Sequence, residues 1–102
     1  MFVSLSSIQQ LTHPKSIAVL TGAGDEQKLG PIIIRNLLRA GFNGPVLPVS
    51  ESISECGLMA YPTVSQLPLV PDLVVNCLSK QALLDSCVVL AELGVRNVVV
   101  LP

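Results

Sequence analysis

The chain has 102 residues, half of them hydrophobic, and a formal net charge of −1. That is enough apolar material for one small packed domain, whereas six scattered Lys and Arg provide no continuous basic surface for a nucleic-acid backbone. Met1-Phe2-Val3 runs into polar Ser and Gln, and no apolar run approaches the roughly 18 residues a bilayer span needs, so a cytoplasmic protein with no membrane segment is expected.

In chain order, the pattern predicts a short helix over about Ser4 to Leu11 that closes at Thr12-His13-Pro14, then an apolar strand over Ser16 to Leu20. The strand empties through Thr21-Gly22-Ala23-Gly24 into a helix over about Leu29 to Ala40. Glycines at such a turn let the backbone approach a ligand, and the helix behind them offers unpaired N–H groups and a partial positive charge to an anion. The same turn also serves simply to reverse the chain in doubly wound folds, so alone it is a weak signal. Leu29, Ile32, Ile33, Leu37 and Ala40 are expected to face a sheet, with Lys28, Arg35 and Arg39 in water and Gly41 as a left-handed cap.

Gly44-Pro45 turns the chain into a second strand, Val46 to Val49. Ser50 to Val64 reads as a polar loop with a brief extended piece near Leu58 to Tyr61, and Val64 to Leu67 as a turn of helix. A third strand is predicted over Leu73 to Cys77 and a second helix over Gln81 to Leu93, with Gln81, Asp85 and Glu92 wet and Gly94 as its cap. Val98 to Leu101 completes the strands. Near-continuous apolar strands alternating with helices specify an α/β fold, a doubly wound parallel sheet. Right-handed crossovers then put every strand's carboxyl end on one rim, where Thr21 to Gly24, Ser50 to Ser52 and Leu78 to Gln81 become neighbours.

Cys56, Cys77 and Cys87 are odd in number and lack metal-ligand spacing, and two of them sit in apolar surroundings, so buried reduced thiols are expected rather than disulfides, and no metal. The sole histidine, His13, precedes the first strand, on the wrong side of the sheet for the rim. Asp72 reads as a residue at the start of its strand and Tyr61 as a loop anchor. No nucleophile, base and orienting group occur together, so the segment has no visible catalytic machinery and is a binding module.

Several ordered blocks carry a resemblance: Pro14-Lys-Ser-Ile-Ala-Val19, Arg35-Asn-Leu-Leu38, Gly41-Phe-Asn-Gly-Pro-Val46 with Pro48-Val49, Ala60-Tyr-Pro-Thr-Val64, Leu67-Pro68, Pro71-Asp-Leu-Val74 and Gly94-Val95. Together they resemble the N-terminal CoA-binding domain of the ADP-forming acyl-CoA synthetases, over about Leu5 to Leu101. The stretch Gly41 to Val49 resembles most the branch in which this synthetase-like region is fused to an acetyltransferase that modifies protein lysines.

The resemblance implies a Rossmann-like domain holding coenzyme A or acyl-CoA at the strand carboxyl ends, beside other domains of a larger chain, an ATP-grasp domain among them. It places the cofactor-binding positions on Thr21, Gly22, Ala23 and Gly24, with Lys28 and Gly30, on Val49 and Ser50, and on Cys77, Leu78 and Ser79. Thr21 stands where the family has Gly, Ala23 where it has a phosphate-binding Ser, and Ser50-Glu51-Ser52 where it has Asn-Pro-Lys, changes that lower the affinity expected for a polyanion. Asp25 and Glu26 add negative charge beside the phosphate turn, with Lys28 as the nearby counterweight.

Two other readings stand beside this one. Thr21 to Gly24 also resembles the opening of short-chain dehydrogenases, hence an NAD(P)-binding domain, but the further glycines of that fingerprint are missing and Ser50 stands where an acidic residue would take the ribose. A degenerate domain kept for structure or protein contacts is the other. Finally, an apolar strand at Val98 to Leu101 with nothing after Pro102 leads us to expect residues 1–102 to be an N-terminal fragment of a larger protein. The last strand would then offer an edge for self-association.

Overall fold

A computed structural model describes residues 13–21, 29–51, 54–78 and 80–100. The short helix expected over Ser4 to Leu11, and Gly22, Ala23, Gly24, Lys28, Ser52, Ser79 and Leu101, lie outside the described residues.

Four strands form one parallel sheet: β1 (Ile17–Leu20), β2 (Val46–Val49), β5 (Leu73–Asn76) and β6 (Val98–Val100), in the order β2-β1-β5-β6. Two inner strands buried on both faces need side chains that are apolar in both directions. That is why Ile17, Ala18, Val19 and Leu20 are all buried, without alternation. Ile17 is in register with Val46 on one side and with Leu73 on the other.

Helix α1 (Leu29–Arg39) follows β1, and α2 (Lys80–Glu92) follows β5. They cover opposite faces. Ile33, Ile34 and Leu37 of α1 pack with Ile17, Val19, Val46 and Val75, whereas Val89 and Leu90 of α2 pack with Ala18, Leu20, Leu47 and Val74. Both helices end at glycines in the left-handed region, Gly41 with φ 78 and Gly94 with φ 90, as expected for C-caps.

Leu29, Ile33 and Leu37 of α1 pack inward as expected, but Ile32 and Ala40 do not, and Ile34 forms the centre of the buried face. Ile34 is 0% exposed while Ile32 is 49% exposed and Ala40 is exposed. At about 100° per residue, Gly30, Ile33, Ile34 and Leu37 share one side, and Ile32 lies nearly opposite beside Arg35 and Arg39. On α2 the wet face is the expected one, with Gln81, Asp85 and Glu92 all exposed.

The loop after β2 holds more structure than the sequence suggested. Strands β3 (Ser54–Glu55) and β4 (Leu58–Met59) form an antiparallel hairpin across Cys56 and Gly57, which have φ 52 and 82. Two successive positive φ values match the right-handed twist of a two-residue hairpin, at a cost for the Cys side chain. Tyr61 then bridges in parallel to Val49, its N–H donating to Pro48 O at 2.9 Å while its own carbonyl accepts from Ser50 N at 2.9 Å. It is the loop anchor expected of it. A single 3₁₀ turn follows at Val64–Gln66.

Asp72 fastens the amino edge of the sheet. Its Oδ2 accepts from Lys15 N at 2.8 Å, its N–H donates to Ser16 Oγ at 3.0 Å, and its carbonyl accepts from Asn97 Nδ2 at 3.3 Å. One residue thereby ties together the starts of β1, β5 and β6.

Candidate functional site

In a sheet of order β2-β1-β5-β6, β1 is followed in sequence by a strand on one side and later by a strand on the other. That reversal opens a crevice at the carboxyl ends, the ordinary ligand position in open α/β sheets. Thr21, Ser50 and Cys77 are the first residues beyond β1, β2 and β5, and α1 and α2 open on the same rim. Among the described residues neither helix has an acidic side chain in its first turn.

Thr21 is buried and closes the end of β1 onto β2. Its N–H and its hydroxyl both donate to Val49 O, at 3.0 and 3.2 Å. The single hydroxyl proton is therefore committed inside the protein. On its other side the Thr21 methyl lies against Gly30, where an added Cβ would fall far inside contact with Thr21 Cγ2 and 2.8 Å from Thr21 Cβ. Gly30 brings the first turn of α1 directly onto the strand end, which sets the helix N–H groups at the rim.

Gly30→Ala weighs two effects against each other. The helix-propensity gain is about 1 kcal/mol, and overpacking against a short, branched Thr costs about 1–3 kcal/mol. A net loss of stability of about 0–2 kcal/mol is expected in urea denaturation; a gain would mean that α1 shifts without cost.

Ser50 is buried beside Tyr61, and Glu51 next to it is exposed. The β3–β4 hairpin reaches over the start of α1, where Cys56 Sγ lies 3.5 Å from Pro31 O. Across the crevice Cys77 N donates to Leu20 O at 3.0 Å, and half-buried Leu78 N donates to Asn76 Oδ1 at 3.2 Å. Of the positions expected to bind cofactor, the structure joins Thr21, Val49 and Gly30 by direct contact and brings Ser50, Cys77 and Leu78 to the same edge. Among the described residues no buried polar side-chain atom lacks a partner.

The cysteines differ from one another. Cys77 is buried and Cys87 partly so, whereas Cys56 is exposed because the hairpin carries it to the surface. Desolvation by burial pushes the Cys77 thiol above its ordinary pKa. With the folded pKa raised, the neutral thiol is the favoured form, so stability is unaffected at neutral pH and falls as pH rises past the ordinary thiol range. A maleimide at pH 7 should label Cys56 within minutes and Cys77 only on unfolding. Rapid labelling of Cys77 in the folded protein would show the carboxyl end of β5 to be open.

His13 is exposed at the opposite, amino edge, where a groove of about 590 Å³ is lined by His13, Lys15, Phe42 and Asn43. No group of metal-ligating side chains occurs among the described residues. Sequence reasoning missed the hairpin, whose two-residue strands carry no periodic signal, and Asn76, which is legible only once Ser86 is known to lie beside it.

The family described as CoA binding domain matches residues 15–102. This chain belongs to that family. Relatives of the CoA binding domain include a trans-feruloyl-CoA synthase from an unknown prokaryotic organism, 32% identical over 95% of this chain and 14% of that protein. The alpha subunit of an ADP-forming acetate–CoA ligase II from Pyrococcus furiosus is 31% identical over 87% of this chain and 20% of its own length. The chain therefore spans about a fifth or less of these curated relatives. An acetyl-coenzyme A synthetase of Ca. Korarchaeum cryptofilum, solved with phosphate and ADP, superposes with a TM-score of 0.81 at 32% identity, over 92% of this chain and 20% of that one. A conserved hypothetical protein from Pyrococcus furiosus superposes with a TM-score of 0.74 at 29% identity, over 86% and 75% of the two chains. Membership of the CoA binding domain family favours the coenzyme A reading over the dinucleotide one, and the Rossmann-like parallel sheet is the family's.

Proposed function

We propose that this domain binds coenzyme A or an acyl-CoA across the carboxyl edge of its sheet, as one part of a larger acyl-CoA synthetase of the ADP-forming kind. The observation that carries the reading is the family match over residues 15–102, falling on a chain whose α1 amino terminus is packed against the end of β1 through Gly30. The residues present suit a ligand held through main-chain N–H groups. Thr21 and Asn76 spend hydrogen bonds internally, so α1's first turn and the glycine turn before it are the donors for phosphate, with Lys28 as the cation. Glu51, exposed at the end of β2, opposes a polyanion and sets the affinity below that of a rim with Lys there.

The remaining domains would supply the chemistry: an ATP-grasp domain in a synthetase, or an acetyltransferase domain in a synthetase-like protein acetyltransferase. Assay of the parent protein for ADP release against acyl transfer to lysine separates these. No helix of the described residues is long and apolar enough to cross a membrane, and a cytoplasmic location is part of the proposal.

Calorimetric titration of the purified chain with CoA, acetyl-CoA and NAD tests it, together with melting shifts. CoA species should bind and stabilise more than NAD, Lys28→Ala should weaken CoA binding by about 1 kcal/mol, and His13→Ala should leave it unchanged. Ala23→Ser and Glu51→Lys should each tighten it, the latter most at low salt. A larger shift with NAD, or no heat with any CoA species, would overturn the reading.

A further inference from the structure

Asn76 is 0% exposed at the last position of β5, in a strand whose other buried positions are valine. An amide in such surroundings is costly unless both of its ends are bonded. Here both are: Oδ1 accepts from Leu78 N at 3.2 Å, and Nδ2 donates to Ser86 Oγ at 2.9 Å. Ser86 Oγ in turn donates to Leu83 O at 2.8 Å. Because that hydroxyl proton is spent on the helix, Ser86 can only accept from Asn76, and the amide has one orientation available.

The side chain thus joins three things that the backbone alone leaves independent: the end of β5, the loop that leaves it, and the second turn of α2. Val at this position would satisfy the core better, and nothing in the sheet's own ladder needs the amide. What the amide adds is the turn at Leu78, whose N–H is drawn inward over the strand end.

We propose that Asn76 is the positioning residue of this site, fixing the wall formed by Cys77, Leu78 and the start of α2 in the conformation that receives the ligand. The inference rests on the coenzyme A reading above for the ligand itself. Preorganisation of this kind acts on affinity because a wall already held in place costs nothing to order on binding.

The test uses Asn76→Leu and Ser86→Ala in the same chain. Amide exchange by NMR and CoA titration are both measured at a temperature where circular dichroism shows each variant folded. Asn76→Leu should accelerate exchange at Leu78 about tenfold while Val75 in the strand changes little, and should raise the CoA Kd roughly 3- to 10-fold, the range set by one lost hydrogen bond. Ser86→Ala should shift both in the same direction by less, and it decides the matter by the same two readouts if Asn76→Leu does not fold. Unchanged exchange at Leu78, or an unchanged Kd in a variant that has lost that protection, overturns the proposal. A wild-type chain with no CoA affinity overturns the coenzyme reading and the ligand half of this inference with it. An unaltered Kd in the variants of a chain that does bind overturns the inference alone.

Discussion

Leu20→Ala is expected to destabilise the domain by about 3–5 kcal/mol, the upper part of the range for a fully buried leucine. Leu20 is 1% exposed in β1, an inner strand of the sheet, and packs in the cluster formed by Leu47, Val64, Val74 and Leu90. Neighbours held by strand pairing on both sides cannot collapse into the space, so the cavity term adds to the lost transfer term. Domains of this size carry about 5–15 kcal/mol in total, so the variant should be partly unfolded at 37 °C. Leu20→Met keeps the volume and should cost less than about 1.5 kcal/mol. Urea midpoints check both, and a loss under about 1 kcal/mol for the alanine variant would mean that this face of the sheet repacks freely.

Gly44→Ala should cost about 2–3 kcal/mol, at the upper end of ordinary overpacking. A Cβ at residue 44 would fall far inside contact with the Lys15 carbonyl oxygen, 2.8 Å from the Lys15 carbonyl carbon and 3.1 Å from Phe42 Cε2. The obstacle is main chain at the start of β1, so no rotamer change relieves it. Relief requires the segment before β2 to move away from β1, which strains the bond from Ile17 N to Pro45 O at 3.0 Å. Gly30→Ala meets a side chain instead, which is why its expected cost is smaller. Equal midpoints for Gly44→Ala and the wild type would show that the start of β2 is free to move aside.

The parallel sheet was legible in the sequence because each of its strands is a short apolar run between turn residues. Val46–Val49 coincides with the expected strand, the strands at Ile17–Leu20 and Leu73–Asn76 each differ from the expected span by a residue at an end, and Val98–Val100 matches as far as the described residues run. Helix ends were legible from glycine for the same local reason. The buried face of α1 was legible only in part: Leu29, Ile33 and Leu37 pack as their spacing suggests, but the centre of the face is set by where the helix docks, and Gly30, with no hydrophobic signature, sits against Thr21 with Ile34 inward and Ile32 outside. The edge that carries the site followed from strand order alone. The chemistry at that edge did not, since the Thr21 hydroxyl could have faced a ligand and was found bonded to Val49 O, a partner 28 residues away.

The two faces of the sheet are completed at different moments of synthesis. β1, α1 and β2 all precede residue 50, and Ile17, Val19 and Ile34 share one cluster. Ala18, Leu20, Leu47 and Val49 point the other way and wait for Val64, Val74 and Leu90. Until α2 leaves the ribosome, a half-sheet presents a continuous aliphatic surface to water, and pairing β1 with β5 requires closure of the long loop that ends with Lys15 meeting Asp72, 57 residues on. Translational pausing between β2 and α2 would lengthen the exposure of that one surface, which makes it the place where a nascent-chain chaperone would bind or where aggregation would begin.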